Sequence, residues 1–187
     1  MRATRTTFLA LAAVLLIAGS ATAAKIEIED PVGDDYGPGN YVYPTDAVYA
    51  QGSFDIKEFV MEAKGDKAQI EVTVAANLDD PWRMGSGFSV QMVFVFIDNA
   101  PGGHTESPPG LNVNFAEDTA WDKCVVLSPQ PKARVQQEIE AKAGGMAKDI
   151  IAPNGVRGRR ATISASVPLS EIGGSGDPAS WRYEVFM

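Results

Sequence analysis

The sequence FSVQMVFVFID, residues 88–98, decides which fold classes the rest of the chain allows. Apolar side chains stand at Val90 and at every position from 92 to 97, so both faces of an extended chain would be apolar here. A strand with two apolar faces lies inside a sheet, because a strand with one face in water alternates between apolar and polar residues. We therefore predict a central, buried strand at residues 88–98.

Shorter strand patterns, separated by turn residues, surround this stretch. Residues 26–29 alternate between isoleucine and glutamate, and residues 67–76 alternate after a turn at residues 65–66, which predicts a hairpin with the preceding segment. A change of phase between Ile56 and Phe59 indicates a β-bulge. The other predicted strands lie at residues 111–115, 121–128, 146–152, 160–167 and 181–187, with a weak helical pattern at 135–143 and a helical turn at 168–172. About nine short strands are typical of two packed sheets, so we predict an all-β sandwich.

The N-terminal segment has the three parts of a secretory signal peptide. Arg2 and Arg5 precede an unbroken apolar run at residues 8–18, and Ala-Thr-Ala at residues 21–23 supplies a small-x-small cleavage pattern. We predict cleavage after residue 23 and a mature chain, residues 24–187, that folds as one domain and is secreted or periplasmic. No later segment approaches the roughly 20 apolar residues of a membrane helix, so no membrane span is expected after cleavage.

Charge and the scarcity of reactive side chains exclude several classes of function. The formal net charge is −8, and loss of Arg2 and Arg5 with the signal peptide would give −8 − 2 = −10, which disfavours nucleic acid and anionic membranes as partners. A single histidine and a single cysteine leave no nucleophilic triad, and Cys124, in the apolar run CVVL, is expected to be a small buried side chain. Hydrolysis by two carboxylates stays an alternative, because acidic residues are plentiful.

The acidic loop, DPVGDDYGPGNYVYPTDAVYAQGSFD at residues 30–55, holds five aspartates together with glycines and prolines that favour turns. Clustered carboxylates favour a cation among them, and Ca²⁺ takes about six to eight oxygens from carboxylates and backbone carbonyls. We predict one Ca²⁺ that is bound with the help of Asp30, Asp34, Asp35 and Asp55. A solvated turn closed by Asx caps is the alternative.

A carbohydrate site combines aromatic faces, on which pyranose rings stack, with fixed polar groups for the hydroxyls. Trp82 lies in DDPWRMGSG, residues 79–87, where glycine and proline predict an exposed loop, whereas Trp121 and Trp181 stand at predicted strand starts and are expected in the core. The predicted ligand-binding residues are Trp82, Tyr43 of the acidic loop and His104 of the glycine-rich loop after the central strand. Trp82 as a lid over one end of the sandwich is the alternative.

Five segments carry a resemblance to a known family: GDDYGPGNYVYPT (33–45), GSFDI (52–56), PWRMGSGFSVQ (81–91), PGLNVNFAEDTAWD (109–122) and PASWRYEV (178–185). In these segments the chain resembles the C-terminal binding module of glucodextranase, a DOMON-like domain. The resemblance implies a jelly-roll type β-sandwich of about nine strands, related to the family-nine carbohydrate-binding modules. It also implies a secreted, non-catalytic module that binds calcium and a glucan, beside a secreted glycoside hydrolase or a surface protein.

The resemblance leaves two alternatives to glucan binding. Some DOMON-like domains hold haem b through Met with His or Lys, and the ligands available here would be His104, Met84 and Met92. The other alternative is a protein-interaction or cell-surface scaffold, because one fold hosts unrelated functions. Members of the family continue beyond the segment that WRYEVF (181–186) resembles, so we expect either that a final strand is absent or that the sandwich closes differently.

Overall fold

The structure, a computed structural model, describes residues 24–36, 42, 44–174 and 177–187. Their regular secondary structure is mostly β-strand, arranged in two sheets, with little helix. The strands are β1 (Lys25–Glu29), β2 (Ile56–Lys64), β3 (Lys67–Val74), β4 (Val93–Asp98), β5 (Lys123–Leu127), β6 (Ile150–Ile151), β7 (Arg157–Arg159), β8 (Thr162–Pro168) and β9 (Arg182–Phe186). The helices are α1 (Lys132–Lys142) and α2 (Leu169–Ile172), with 3₁₀ segments at Glu117–Thr119, Gly144–Asp149 and Pro178–Ser180. The predicted all-β fold is confirmed.

The two sheets have the strand orders β1-β2-β3-β8-β7 and β6-β5-β4-β9. β4 lies between β5 and β9, which confirms the predicted central strand. The strand begins only at Val93, because the residues before it bond to loops: Ser89 N–H donates to Asp79 O, and the Gln91 side-chain amide donates to Ser53 O. The jelly-roll type of the sandwich stays a prediction.

The side chains of β4 explain why its sequence is apolar on both faces. Val93, Val95 and Ile97 point between the sheets and are fully buried in the main core. Phe94 and Phe96 point to the other face of the sheet, where they join a second apolar cluster with α1 and the segment 104–121. A strand that packs on both sides needs apolar residues at every position.

Two local predictions in the first sheet are confirmed. The register of β2 against β3 shifts between Ile56 and Glu58, which is the predicted bulge. The β2–β3 hairpin turns at Gly65, whose φ of 64° is open to glycine at little cost. The weak helical pattern at 135–143 is also confirmed, as α1.

Two strand predictions are wrong. Residues 111–115 form no strand and make only the isolated bridge between Glu106 and Asn114. Leu111, Val113 and Phe115 alternate because their side chains pack on the second apolar cluster, and alternation reports burial on one side rather than strand pairing. Residues 146–152 form mainly the 3₁₀ segment, followed by the two-residue β6.

The predicted signal peptide, residues 1–23, lies outside the described residues. Among the residues that the structure describes, no helix is long and apolar enough to cross a membrane.

Candidate functional site

The Trp82 loop, defined as residues 78–89, is attached to β7 near both of its ends. Leu78 N–H donates to Arg160 O at 2.6 Å, and Gly158 N–H donates to Ser86 O at 2.7 Å. Gly87 passes so close to β7 that a Cβ atom on it would lie 2.3 Å from Gly158 O. Only glycine fits such an approach, so the sequence GSG before Phe88 fixes the path of the loop.

Hydrogen bonds inside the Trp82 loop hold its tip. The Asp80 carboxylate accepts hydrogen bonds from the N–H groups of Met84 and Gly85 at 2.7 and 2.9 Å. These backbone hydrogen bonds, that of Met84 first, lower the pKa of Asp80. Trp82 N–H donates to Ser89 Oγ at 3.3 Å, and Arg83 adopts a left-handed φ of 55°. The tip therefore has a defined backbone from which Trp82 projects.

The three tryptophans differ in exposure as the sequence predicts. Trp82 is 55% exposed, whereas Trp121 and Trp181 are 1% and 7% exposed. The core positions of Trp121 and Trp181 are confirmed, and so is that of Cys124, which is buried. Trp82 is accessible to a ligand, and its role as a stacking platform stays a prediction.

Part of the acidic loop, residues 37–41 and 43, lies outside the described residues, and with it the predicted ligand residue Tyr43. Asp55 is only 3% exposed; its Oδ2 accepts a hydrogen bond from Gly33 N–H at 2.8 Å. Among the described residues, its other oxygen, Oδ1, has no hydrogen-bond partner and is buried, as is Oδ2 of Asp35. An unpartnered buried carboxylate oxygen is costly, so these atoms are suited to a cation.

The electrostatics of the acidic loop also favour a cation near these carboxylates. Burial raises the pKa of Asp30, and repulsion by Asp34 and Asp55 raises it further. These carboxylates therefore lie close enough to destabilise each other, and a hard cation would relieve the repulsion. Within the described ranges, no group of three or more His, Cys, Asp or Glu side chains is arranged to hold a metal ion. Backbone carbonyls would have to supply further ligands.

His104 belongs to a network that joins the loop after β4 to the start of β5 and the end of the 3₁₀ segment Gly144–Asp149. Its Nε2 lies 2.9 Å from Asp149 Oδ2, and its ring lies 4.5 Å from that of Trp121 between centroids. Lys123 Nζ donates to Asp149 Oδ1 at 2.7 Å, and Lys148 Nζ lies 3.5 Å from Oδ2. His104 is thus part of a packed ion-pair network.

Burial alone would raise the pKa of Asp149, but hydrogen bonds from Lys123 and His104 outweigh it and lower the value from 3.8 to about 2. Because the folded-state pKa lies below the unfolded value, the network contributes its full stability above the unfolded pKa. That contribution is lost as pH falls from about 4 towards 2.

We expect Asp149→Asn to lower the free energy of unfolding by about 2 kcal/mol at pH 7, since a unit of pKa corresponds to about 1.4 kcal/mol. The difference from the parent should shrink as pH falls from about 4 to 2, which urea titrations at several pH values can measure. Glu138→Gln is the control: Glu138 also pairs with two cations, Arg134 and Lys142, but these pairs lie in solvent on the surface of α1, so the substitution should change stability little. Equal costs for the two variants would contradict the prediction.

Trp82 and His104 are far apart. The Trp82 loop leads into β4 at its N-terminal end, and the loop with His104 leaves the C-terminal end of this strand, which is about 20 Å long. One small sugar therefore cannot contact both side chains. The same separation applies to the predicted haem ligands, because Met84 and Met92 precede β4 whereas His104 follows it.

The sequence did not indicate a groove between α1 and the outer face of the second sheet. It has a volume of about 370 Å³, with apolar side chains on its floor and charged ones along α1. The lining includes Met92, Phe94, Val126, Ile139 and Pro108. The sequence pattern that could have predicted this groove is the helical spacing of Val135 and Ile139, which indicates a helix with one apolar side.

A family model matches most of the chain. The model of a family described as the C-terminal binding module, SLH-like, of glucodextranase matches residues 26–187. No curated protein matches the chain.

Proposed function

Because the chain belongs to the family of SLH-like C-terminal binding modules of glucodextranase, we propose that it is a secreted module that binds polysaccharide through the Trp82 loop. The family is one of binding modules rather than of catalytic domains. No catalytic residue is assigned on this basis. The function would be non-covalent recognition outside the cytoplasm.

The exposure of Trp82 carries the proposal. An indole that is 55% exposed leaves a large apolar surface in water, which a pyranose ring stacked on it would cover. The loop is held at both ends and at its tip by hydrogen bonds, so little conformational entropy would be lost on binding. A fixed, exposed aromatic side chain is what a stacking site requires.

The name of the family supports an α-glucan, or its chain end, as the first ligand to test. It also supports a secreted glycoside hydrolase or a surface protein as a physical neighbour of the module. Calcium is part of the proposal, with Asp30, Asp34, Asp35 and Asp55 among its ligands. It rests on the unpartnered buried oxygens of Asp35 and Asp55 and on the raised pKa of Asp30.

Trp82→Ala should lower affinity for a glucan oligosaccharide about 10- to 100-fold, since stacking on an aromatic side chain contributes about 1 to 3 kcal/mol by analogy with nucleic-acid bases. Trp82→Phe keeps an aromatic face and should lose less. Titration calorimetry with the calcium-loaded protein measures both.

Met84→Ala is the control, because Met84 is an exposed apolar residue of the same loop and is not expected to stack. The proposed site is wrong if Trp82→Ala binds as tightly as Met84→Ala. A parent protein that binds no glycan at millimolar concentration would overturn the proposed function itself.

A further inference from the structure

Four arginines belong either to the Trp82 loop or to residues 157–160, the segment to which the loop is hydrogen-bonded. Arg83 belongs to the loop, and Arg157, Arg159 and Arg160 belong to β7 and the turn that follows it. All four are exposed. The two bonds that attach the loop to β7 and to the turn after it involve Leu78 and Ser86. Each is four residues from Trp82, so the Trp82 Cα lies within about 14 Å of both attachment points.

The direction of the β7 side chains follows from the strand register. Gly158 pairs with Ile163, which faces the core, so Arg157 and Arg159 occupy the opposite, outer face of the sheet. Arg160 has a φ of 57° in the short connection to β8. The main-chain oxygen of Arg160 accepts the bond from Leu78, which places this turn at the base of the Trp82 loop.

None of these four arginines forms an ion pair with a carboxylate in the described part of the chain. The two other arginines in that part, Arg134 and Arg182, pair with Glu138 and Asp98. In a chain with 24 acidic and 16 basic residues, carboxylate partners are abundant, so the lack of ion pairs at these arginines is not a consequence of composition. Their charges repel one another unless an anion lies among them.

Two carboxylates stand close by in the loop itself, and both accept backbone hydrogen bonds. Asp80 accepts from Met84 and Gly85, and Asp79 Oδ1 accepts from Asp80 N–H at 2.8 Å. Within residues 78–89 and 157–160 taken together, four arginines and two aspartates leave an excess of two positive charges. A guanidinium group binds carboxylate or sulfate through two parallel N–H···O bonds, which gives such a surface both affinity and geometry.

We propose that the polysaccharide bound at the Trp82 loop is acidic, with sugar carboxylates held by Arg157 and Arg159 while an adjacent ring stacks on Trp82. This inference rests on the proposed function and narrows its ligand class from polysaccharides in general to acidic ones. Single-stranded DNA is the competing polyanion, and its binding is one outcome of the test.

The test compares polygalacturonate, a uronic-acid polymer, with dextran, a neutral α-glucan, on the parent protein. Polygalacturonate should bind at least about tenfold more tightly at low salt, and the preference should weaken as salt screens the charges. The double variant Arg157→Gln/Arg159→Gln should lose about tenfold or more for polygalacturonate and little for dextran. The control, Arg134→Gln/Lys142→Gln on α1, removes the same charge elsewhere and should change neither affinity.

Each outcome separates the acidic-ligand inference from the proposed function. Dextran binding that depends on Trp82 but not on Arg157 and Arg159, with no preference for polygalacturonate, overturns the inference and leaves the proposed function standing. Equal behaviour of the two double variants on polygalacturonate also overturns it, as does tighter binding of single-stranded DNA than of polygalacturonate. Failure of the parent protein to bind either polysaccharide overturns both.

Discussion

Replacing Gly87 by alanine is expected to lower the free energy of unfolding by about 3 to 4 kcal/mol, the largest effect expected of any single substitution in the Trp82 loop. The new Cβ would lie 2.3 Å from the carbonyl oxygen of Gly158, where neither backbone can yield without breaking the bond between Gly158 and Ser86. The φ of +88° adds a conformational cost for any residue with a side chain. The melting temperature should fall by about 10 °C, and glycan affinity should fall with it as the loop leaves β7.

Gly85→Ala is a matched control for Gly87→Ala. Gly85 lies in the same loop and has a similar φ of +79°, but a Cβ there would meet nothing within 4 Å. It should cost only about 1 to 2 kcal/mol, from backbone conformation alone. Equal melting temperatures for the two variants would mean that the loop shifts away from β7 without cost, and would contradict the close packing of Gly87 on Gly158.

Local sequence patterns predicted those parts of the fold in which a segment packs in the way that its own periodicity suggests. The β2–β3 hairpin and its bulge are of this kind, because alternation, turn residue and phase change all lie within one short segment. Residues 111–115 show where prediction from alternation fails. Their alternating side chains cover the second sheet without joining it, and nothing in an alternating pattern distinguishes a covering segment from a paired strand.

β7 was missed for the opposite reason. Its sequence, Arg-Gly-Arg, has no apolar residue, so no pattern marks it as a strand. It becomes one because Gly158 pairs with Ile163 of β8 and allows the Trp82 loop to pass over it. Because residue 158 is a glycine, the strand has no apolar side chain in its sequence, and an apolar side chain is what would have predicted it.

In the candidate site too, local sequence predicts some residues and not others. Trp82 was predictable because glycine and proline beside an aromatic residue indicate an exposed loop. The arginine group was not predictable, because Arg83 and residues 157–160 are more than 70 residues apart in the sequence, and only two backbone hydrogen bonds of the fold join their segments. The contact between His104 and Asp149 was not predictable either, because the two residues are 45 positions apart in the sequence. Long-range contacts of this kind leave no trace in a single sequence.

Calcium is expected to raise the free energy of unfolding by about 2.7 kcal/mol at a hundredfold excess over its dissociation constant, provided that it binds only the folded chain. This prediction is based on the carboxylates of the acidic loop. Without a cation, burial and then repulsion by Asp34 and Asp55 raise the pKa of Asp30, so the charged cluster costs stability above that pKa. Melting curves of metal-stripped protein, with added calcium or with chelator, measure the difference.

The variant Asp55→Asn distinguishes a calcium site from a solvated turn. If the loop binds calcium, the substitution should lower stability in calcium but not in chelator, whereas in a solvated turn calcium should make no difference. The amide oxygen of asparagine can still accept the hydrogen bond from Gly33, so the backbone contact survives. In chelator, loss of one charge from the cluster should leave stability unchanged or raised. In calcium, the variant should lose most of the stabilisation that the parent gains.

Asp46→Asn is the control, since Asp46 lies in the same loop but is not one of the proposed ligands, and its Oδ1 accepts a hydrogen bond from Val48 N–H at 3.1 Å. It should respond to calcium as the parent does. If calcium leaves the parent's melting temperature unchanged, or stabilises Asp55→Asn as much as the parent, the acidic loop is a turn closed by its own hydrogen bonds. The buried oxygens of Asp35 and Asp55 would then need another partner, because a carboxylate oxygen removed from water without one is costly.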